Sequence, residues 1–221
     1  MKKLDALFIH PNGSKEIYQG LSNEHSAIEP PIWAAMLANH CRTRNFGVQI
    51  LDCEAERYSI EESAAAIKDC DPRVACFVVY GQQPSASTQN MHGAVATAEE
   101  LRRIHPTIKI LFVGAHVAAL PKETLGHECI DFVCQNEGVY TISNLLSTDL
   151  SLEQIKKVKG LGYRDNGRPV LNAPESIVAK KDLAEDLPGM AWDLLPDINK
   201  YRTAGWHSWP NQSDKAPFAS L

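Results

Sequence analysis

Four short clusters carry the residues able to do chemistry in this chain: Asn12-Gly13, the run Gly81-Gln82-Gln83-Pro84-Ser85-Ala86-Ser87-Thr88, Gly114-Ala115-His116, and Asn136-Glu137-Gly138. Each joins glycine or alanine, which leaves backbone bare, to a short amide, hydroxyl, imidazole or carboxylate. That mix suits holding a polar ligand, because bare backbone permits close approach and the side chains bond ligand edges. The same residues also serve a fold by themselves, glycine in strand-to-helix turns and Ser87 or Thr88 as helix caps. Glu137, next to Gly138 at a predicted helix start, suits the helix dipole and can equally bond a ligand hydroxyl or amide. His10 and His116 are the groups that would carry catalysis if the chain acted alone, although a lone histidine more often packs or faces solvent. No catalytic residue and no metal ligand is assigned.

The elements that must position these clusters alternate. Apolar, β-branched or aromatic runs at Leu4–Ile9, Val48–Leu51, Val74–Tyr80, Ile108–Val113 and Phe132–Cys134 read as strands. Helical periodicity fills the gaps: Pro30-Pro31 open a helix through Arg44, Ser59 caps another with Glu62 three positions on, and the longest runs from about Ser87 to Ile104. Strict alternation predicts an α/β fold, a doubly wound five-stranded parallel sheet of Rossmann or flavodoxin-like order 2-1-3-4-5. In that order the glycines follow strands one, three, four and five, and line the crevice at the switch point. The second strand is an edge and runs instead into Asp52-Cys53-Glu54. Beyond about residue 150 a hairpin is predicted around Asp165-Asn166-Gly167, followed by an irregular, proline-spaced arm containing Trp192, Trp206 and Trp209. The domains are thus read as 1–149 and 150–221, the arm packing on its own sheet or on a neighbour.

The 221 residues carry a net charge of -5 and no basic patch, which argues against nucleic acid as a partner. No apolar run reaches the roughly 18 residues of a membrane helix, so a soluble cytoplasmic protein without a membrane partner is expected. Cys41, Cys53, Cys70, Cys76, Cys129 and Cys134 form neither C-x-x-C nor C-x-x-x-C, and read as reduced packing residues. The G-x-G-x-x-G and G-x-x-x-x-G-K-[ST] loops are absent, as is the G-x-S-x-G elbow. His10-Pro11 and Tyr80-Gly81 stand where a receiver domain needs acids, and His10 to Lys15 is a poor flavodoxin phosphate loop. The residues themselves leave open a binder of some nucleotide-like ligand, a partner-binding module, or an enzyme acting through His10 or His116.

Taken in order, the residues resemble one family, the amino-terminal cobalamin-binding domain of cobalamin-dependent radical S-adenosylmethionine enzymes. The resemblance runs through Pro30-Pro31-Ile32-Trp33, Val48 to Asp52, the Ser85–Thr88 loop, Val113-Gly114-Ala115-His116 to Leu120-Pro121-Lys122-Glu123, and Asp131 to Gly138 with Thr141. It continues in Gly162-Tyr163-Arg164 with Gly167 and in Leu187-Pro188 with Ala191 to Pro196. Ala115 departs from a frequent Gly-Gly, and Val139 from an acidic Gly-Glu-Gly-Glu run. The resemblance implies cobalamin as cofactor, its nucleotide tail slotted into the crevice, with no D-x-H-x-x-G histidine on cobalt. Contacts would come from Asn12, Gly13, Gly81, Gln83, Ser85, Thr88, Gly114, Ala115, His116, Asn136, Glu137 and Gly138. It also implies a radical S-adenosylmethionine barrel as the partner domain, bearing the 4Fe-4S cluster and S-adenosylmethionine on a C-x-x-x-C-x-x-C loop that this sequence lacks. The sequence stops at Ala216–Leu221, about where that barrel would begin, and a fragment is expected. Methyl transfer is the implied chemistry, with oxidative ring formation as the other branch.

Overall fold

The computed structural model describes residues 4–13, 27–81 and 84–202, with only the backbone of Pro84 and Ser85. Gln83 lies outside the described residues, as do Trp206 and Trp209. The elements run β1 (Ala6–His10), α1 (Ile32–Thr43), β2 (Val48–Asp52), α2 (Ile60–Cys70), β3 (Val74–Val78), α3 (Pro84–Ile104), β4 (Lys109–Val113), α4 (Ala115–Ala119), α5 (Pro121–Thr124), β5 (Phe132–Cys134), α6 (Val139–Leu146), α7 (Leu152–Ile155), β6 (Leu161–Asp165) and β7 (Arg168–Leu171). Short helical turns follow at Lys180–Asp182, α8 (Leu183–Asp186), Trp192–Leu194 and Ile198–Lys200.

The strands form one sheet in the order β2-β1-β3-β4-β5-β6-β7. Neighbours from β2 to β5 pair parallel, while β6 pairs antiparallel with β5 and β7 antiparallel with β6. The sheet therefore has seven strands of mixed direction, where the sequence suggests five parallel ones and a separate hairpin. The physical reason is the edge left by β5, only three residues long: an uncovered strand edge carries unpaired N–H and C=O groups, and the hairpin satisfies them. Asn166 and Gly167, at φ 50° and 77°, make the expected tight turn.

Alternation along the strands divides the core in two. Ala6, Phe8, Val74, Cys76, Val78, Leu111 and Val113 face one side, packed by Ala34, Leu37 and Cys41 of α1 and by Ile142 and Leu145 of α6. Leu7, Ile9, Ala75, Phe77, Ile110 and Phe112 face the other, under Ala64 and Ile67 of α2 and Ala94, Ala98 and Leu101 of α3. Helices covering both faces explain why these strands are apolar on both sides. At α2, Ser59 and Glu62 form the expected reciprocal cap. All six cysteines are free and five are buried. Burial raises the Cys41 and Cys53 thiols to about 12, far from reactive thiolates.

The arm folds back onto the molecule. Ala191 N–H donates to Ala35 O at 3.2 Å, and Asn39 Nδ2 to Gly189 O at 3.0 Å, along the first turns of α1. Asp186 accepts from Arg44 and from the Tyr140 hydroxyl, each at 2.5 Å, and its carbonyl meets Nδ1 of the buried His40. The tyrosine hydrogen bond, then the Arg44 guanidinium, hold the Asp186 carboxyl below its usual range. His40 is shifted down, chiefly by burial. One expected neighbour of the arm is thus the chain itself.

Candidate ligand crevice

The carboxyl ends of the parallel strands bring together residues from distant parts of the sequence. At β3 and β4, Ser87 of α3 donates its hydroxyl to Val79 O and accepts the His116 N–H at 3.0 Å. Thr88 Oγ1 stands 3.1 Å from His116 Nδ1, joining the exposed start of α3 to the half-exposed start of α4. Gly114 is buried between them: a Cβ there would run into the Val79 carbonyl, so the two strand ends close up only around glycine. A Cβ on Gly81 would likewise overlap the Ala86 methyl. Both glycines thus answer to packing within the chain, and the half-exposed groups beside them are Gly81 itself, Ala115 and His116.

On the α1 side of the same edge, Trp33 and Tyr80 stack with ring centroids 4.7 Å apart. Both are half-buried, and Tyr80 lies past the end of β3, where the sequence reading extends the strand. Burial, then Cys134 and the nearby Glu137 carboxylate, push the Tyr80 hydroxyl pKa up. Glu137 is half-buried here, while Asn136 is used internally: its Oδ1 accepts from Gly138 N–H and its Nδ2 donates to Glu175 O, each at 3.1 Å. Gly138 adopts φ 84°, a left-handed conformation that starts α6.

The β1–β2 corner is different. His10 Nε2 lies 3.3 Å from Glu54 Oε2, and Asp52 accepts from Ala55 N–H at 3.0 Å and from the Tyr201 hydroxyl at 2.9 Å. Asp52 and Tyr201 are each 1% exposed. Burial depresses His10, but the Glu54 hydrogen bond and the Asp52 and Glu54 charges outweigh it and leave the imidazole raised. Burial raises Asp52 against the pull of His10, Ala55 and Tyr201. Ile28 pairs with Arg202, and Lys200 with Glu56 at 2.5 Å, so the arm caps this corner. Asn12 reaches sideways, its Nδ2 donating to Tyr58 O at 3.0 Å, with Gly13 buried beside it.

Of the sequence-derived positions, Thr88, Ala115 and His116 converge at the β3–β4 ends and Glu137 sits near Tyr80. Asn12 and Asn136 bond within the chain, and nothing is placed for the Ser85 side chain. Sequence reasoning passed over the Trp33–Tyr80 stack and the Asp52–Tyr201 lock. Asp52-Cys53-Glu54, the one strand end without glycine, was the available signal for the second. A wide concavity of about 740 Å³, lined by Asn144, Asp149, Gln154, Lys157 and Glu175 among others, lies along the carboxyl-terminal half of α6. Arg73, just before β3, donates to the Leu146 and Thr148 carbonyls. The Thr148 side of the hollow therefore sits toward the amino ends of the strands, and its Glu175 side reaches the loop after β5 through Asn136.

The profile of the B12 binding domain matches residues 20–146, which span α1 through α6. The chain belongs to the B12 binding domain family. An uncharacterized methyltransferase of Pyrococcus horikoshii is 29% identical over 177 residues, 80% of this chain and 36% of that protein. Among solved structures, the radical S-adenosylmethionine methyltransferase TsrM from Kitasatospora setae, with tryptophan substrate and an S-adenosylmethionine analogue bound, shares the fold at TM-score 0.59 and 15% identity, over 79% of this chain and 31% of its own. The cobalamin-dependent radical enzyme OxsB, with aqua-cobalamin and S-adenosylmethionine bound, does so at TM-score 0.58 and 16% identity, over 87% and 25%. The chain thus spans about a third of the curated relative and a quarter to a third of the solved ones.

Cobalamin is the cofactor of this B12 binding domain family, and the edge can be tested against it. A large amide-fringed ligand needs a shelf without long side chains, bordered by donors and acceptors. Ala115 and Gly81 supply the first; Thr88, His116 and Glu137 supply the second, Thr88 exposed and the others half-buried. The residues fit. No helix of the described residues is long and apolar enough to cross a membrane.

Proposed function

We propose that this domain holds cobalamin across the carboxyl ends of β1, β3, β4 and β5 and presents it to a radical S-adenosylmethionine domain for methyl transfer. The observation that carries the reading is the family match over residues 20–146, which covers the helices and strands whose ends make the half-exposed β3–β4–β5 edge. The backbone at Gly81 and Ala115 allows the ligand close, with Gly13, Gly114 and Gly138 drawing the loops together beneath it. Gln83, Ser85, Thr88 and Glu137 bond its amides or nucleotide tail, with Asn12 and Asn136 holding the loops after β1 and β5 and His116 bordering the shelf. Cobalt takes no histidine from a D-x-H-x-x-G motif, since the chain has none. When bound, cobalamin supplies the group-transfer chemistry, and the protein supplies position and exclusion of water.

Two similar proteins favour methyl transfer over ring formation, the Pyrococcus horikoshii methyltransferase and the methyltransferase TsrM. The iron–sulfur cluster and S-adenosylmethionine belong to the partner domain, which residues 150–221 lead toward, in a cytoplasmic enzyme. The test is colour. Purified protein mixed with hydroxocobalamin and desalted retains a corrinoid spectrum near one equivalent; a colourless protein removes the reading and leaves a module for another nucleotide-like ligand or a protein partner.

A further inference from the structure

Among the described residues, helix α3 touches the chain just past the carboxyl ends of β1, β3 and β4. Ser87 bonds both Val79 O, past β3, and His116 N–H, past β4. Asn90 Nδ2 donates to Tyr80 O at 3.3 Å. Two residues after Met91, Gly93 lies beneath the loop after β1: a Cβ there would stand 2.6 Å from Asn12 O and 3.3 Å from Gly13 Cα. Glycine inside a helix is less stable than alanine, so Gly93 is kept against a local penalty that the close passage of Asn12-Gly13 explains. Its neighbour Ala94 is fully buried in the core, which fixes the helix and prevents it from backing away.

We propose that α3 is the positioning element of the crevice: Gly93 sets the height of the loop after β1, and Ser87 sets the spacing of the loops after β3 and β4. Both residues govern cobalamin affinity without being its main contacts, an inference that rests on the cobalamin reading above. Gly93→Ala pushes Asn12 outward; Ser87→Ala frees the Val79 carbonyl and the His116 N–H from their shared clamp.

The experiment is a hydroxocobalamin titration by absorbance, with thermal unfolding and amide hydrogen exchange on the same proteins. Gly93→Ala and Ser87→Ala each weaken binding by about tenfold, the loss of roughly one loop's contact. Ser87→Thr, which keeps the hydroxyl, restores it. Ala96→Gly, a control on the same helix, lowers the unfolding midpoint and leaves affinity alone. If Gly93 is merely a tolerated helical glycine, Gly93→Ala instead raises the midpoint by about 2–4 °C and binds as the parent does, which overturns the proposal. Exchange in the ligand-free proteins reads the geometry independently of cobalamin. It quickens around residues 9–13 in Gly93→Ala and around 113–117 in Ser87→Ala, and unchanged exchange overturns the positioning role. A parent protein that takes up no cobalamin overturns the cobalamin reading and the affinity claim together, and leaves the exchange result to judge the positioning. Should Gly93→Ala fail to fold, Ser87→Ala, which adds no atoms, decides.

Discussion

At the β1–β2 corner the chain buries titratable groups, with Asp52 sealed under Tyr201 of its own arm and His10 buried beside it; at β3–β4 it leaves Thr88 exposed and Ala115 and His116 half-buried around a glycine-tight joint. Both regions sit at strand carboxyl ends, where parallel sheets bind ligands. The difference lies in what satisfies the polar groups. In the corner every acceptor of Asp52 meets a donor from the chain, so a ligand gains nothing there. At β3–β4 the chain ties backbone to backbone through Ser87 and leaves its side-chain groups at the rim. One half of the edge is a lock, and the other, under the cobalamin reading, is a shelf.

The lock breaks hardest at Asp52. In Asp52→Ala the Tyr201 hydroxyl and Ala55 N–H lose their acceptor, and a buried, raised His10 loses a stabilising charge. The expected cost is about 3 kcal/mol or more, read by chemical denaturation. A cost below about 1 kcal/mol would mean the corner is loosely held and the contrast with the shelf is false.

The shelf breaks differently. His116→Ala removes a half-exposed imidazole whose partner is the Thr88 hydroxyl, so stability moves little. Under the cobalamin reading, affinity for hydroxocobalamin falls by up to about tenfold, the worth of one good hydrogen bond. Equal loss of stability and affinity would show that His116 belongs to the lock type.

How far each region was legible in the sequence follows from the same contrast. The shelf announces itself, because glycine and small polar residues directly after apolar runs are local signals; the strand runs, the Ser59–Glu62 cap and the Asn166-Gly167 turn were readable for that reason. The lock joins Asp52 to a tyrosine 149 positions away, and no local pattern encodes such a pair. The Trp33–Tyr80 stack is hidden in the same way, since Tyr80 reads as one more strand residue although β3 ends at Val78. The hairpin turn was visible, but its union with β5 depends on how short β5 is, and a three-residue strand sets no register by itself. At Gly81 and Gly114 the glycine signal is accounted for by packing within the chain, which a strand-end pattern cannot tell apart from a ligand role.

The smallest expected effect separates the two places where the arm is fastened, through two buried histidines shifted in opposite directions. His10 in the corner is raised above its ordinary 6.5, so the stability it contributes is complete below that pH and is lost as pH climbs through its folded value. Asp52 acts in the same sense, because a raised carboxyl favours the fold only while protonated. His40, beneath Asp186, is lowered, so its contribution is complete above 6.5 and drains away as pH falls through its folded value. The two histidines by themselves place their joint optimum near 6.5, each limb sloping by at most about 1.4 kcal/mol per pH unit for one proton, while Asp52 adds a decline that opens at its ordinary 3.8. Unfolding midpoints measured from pH 5 to 8.5, below the range where the raised thiols titrate, read both limbs. His10→Gln flattens the alkaline limb and leaves the acid limb in place. A variant that flattens both would show that the corner and the α1 attachment of the arm let go together, as one clasp.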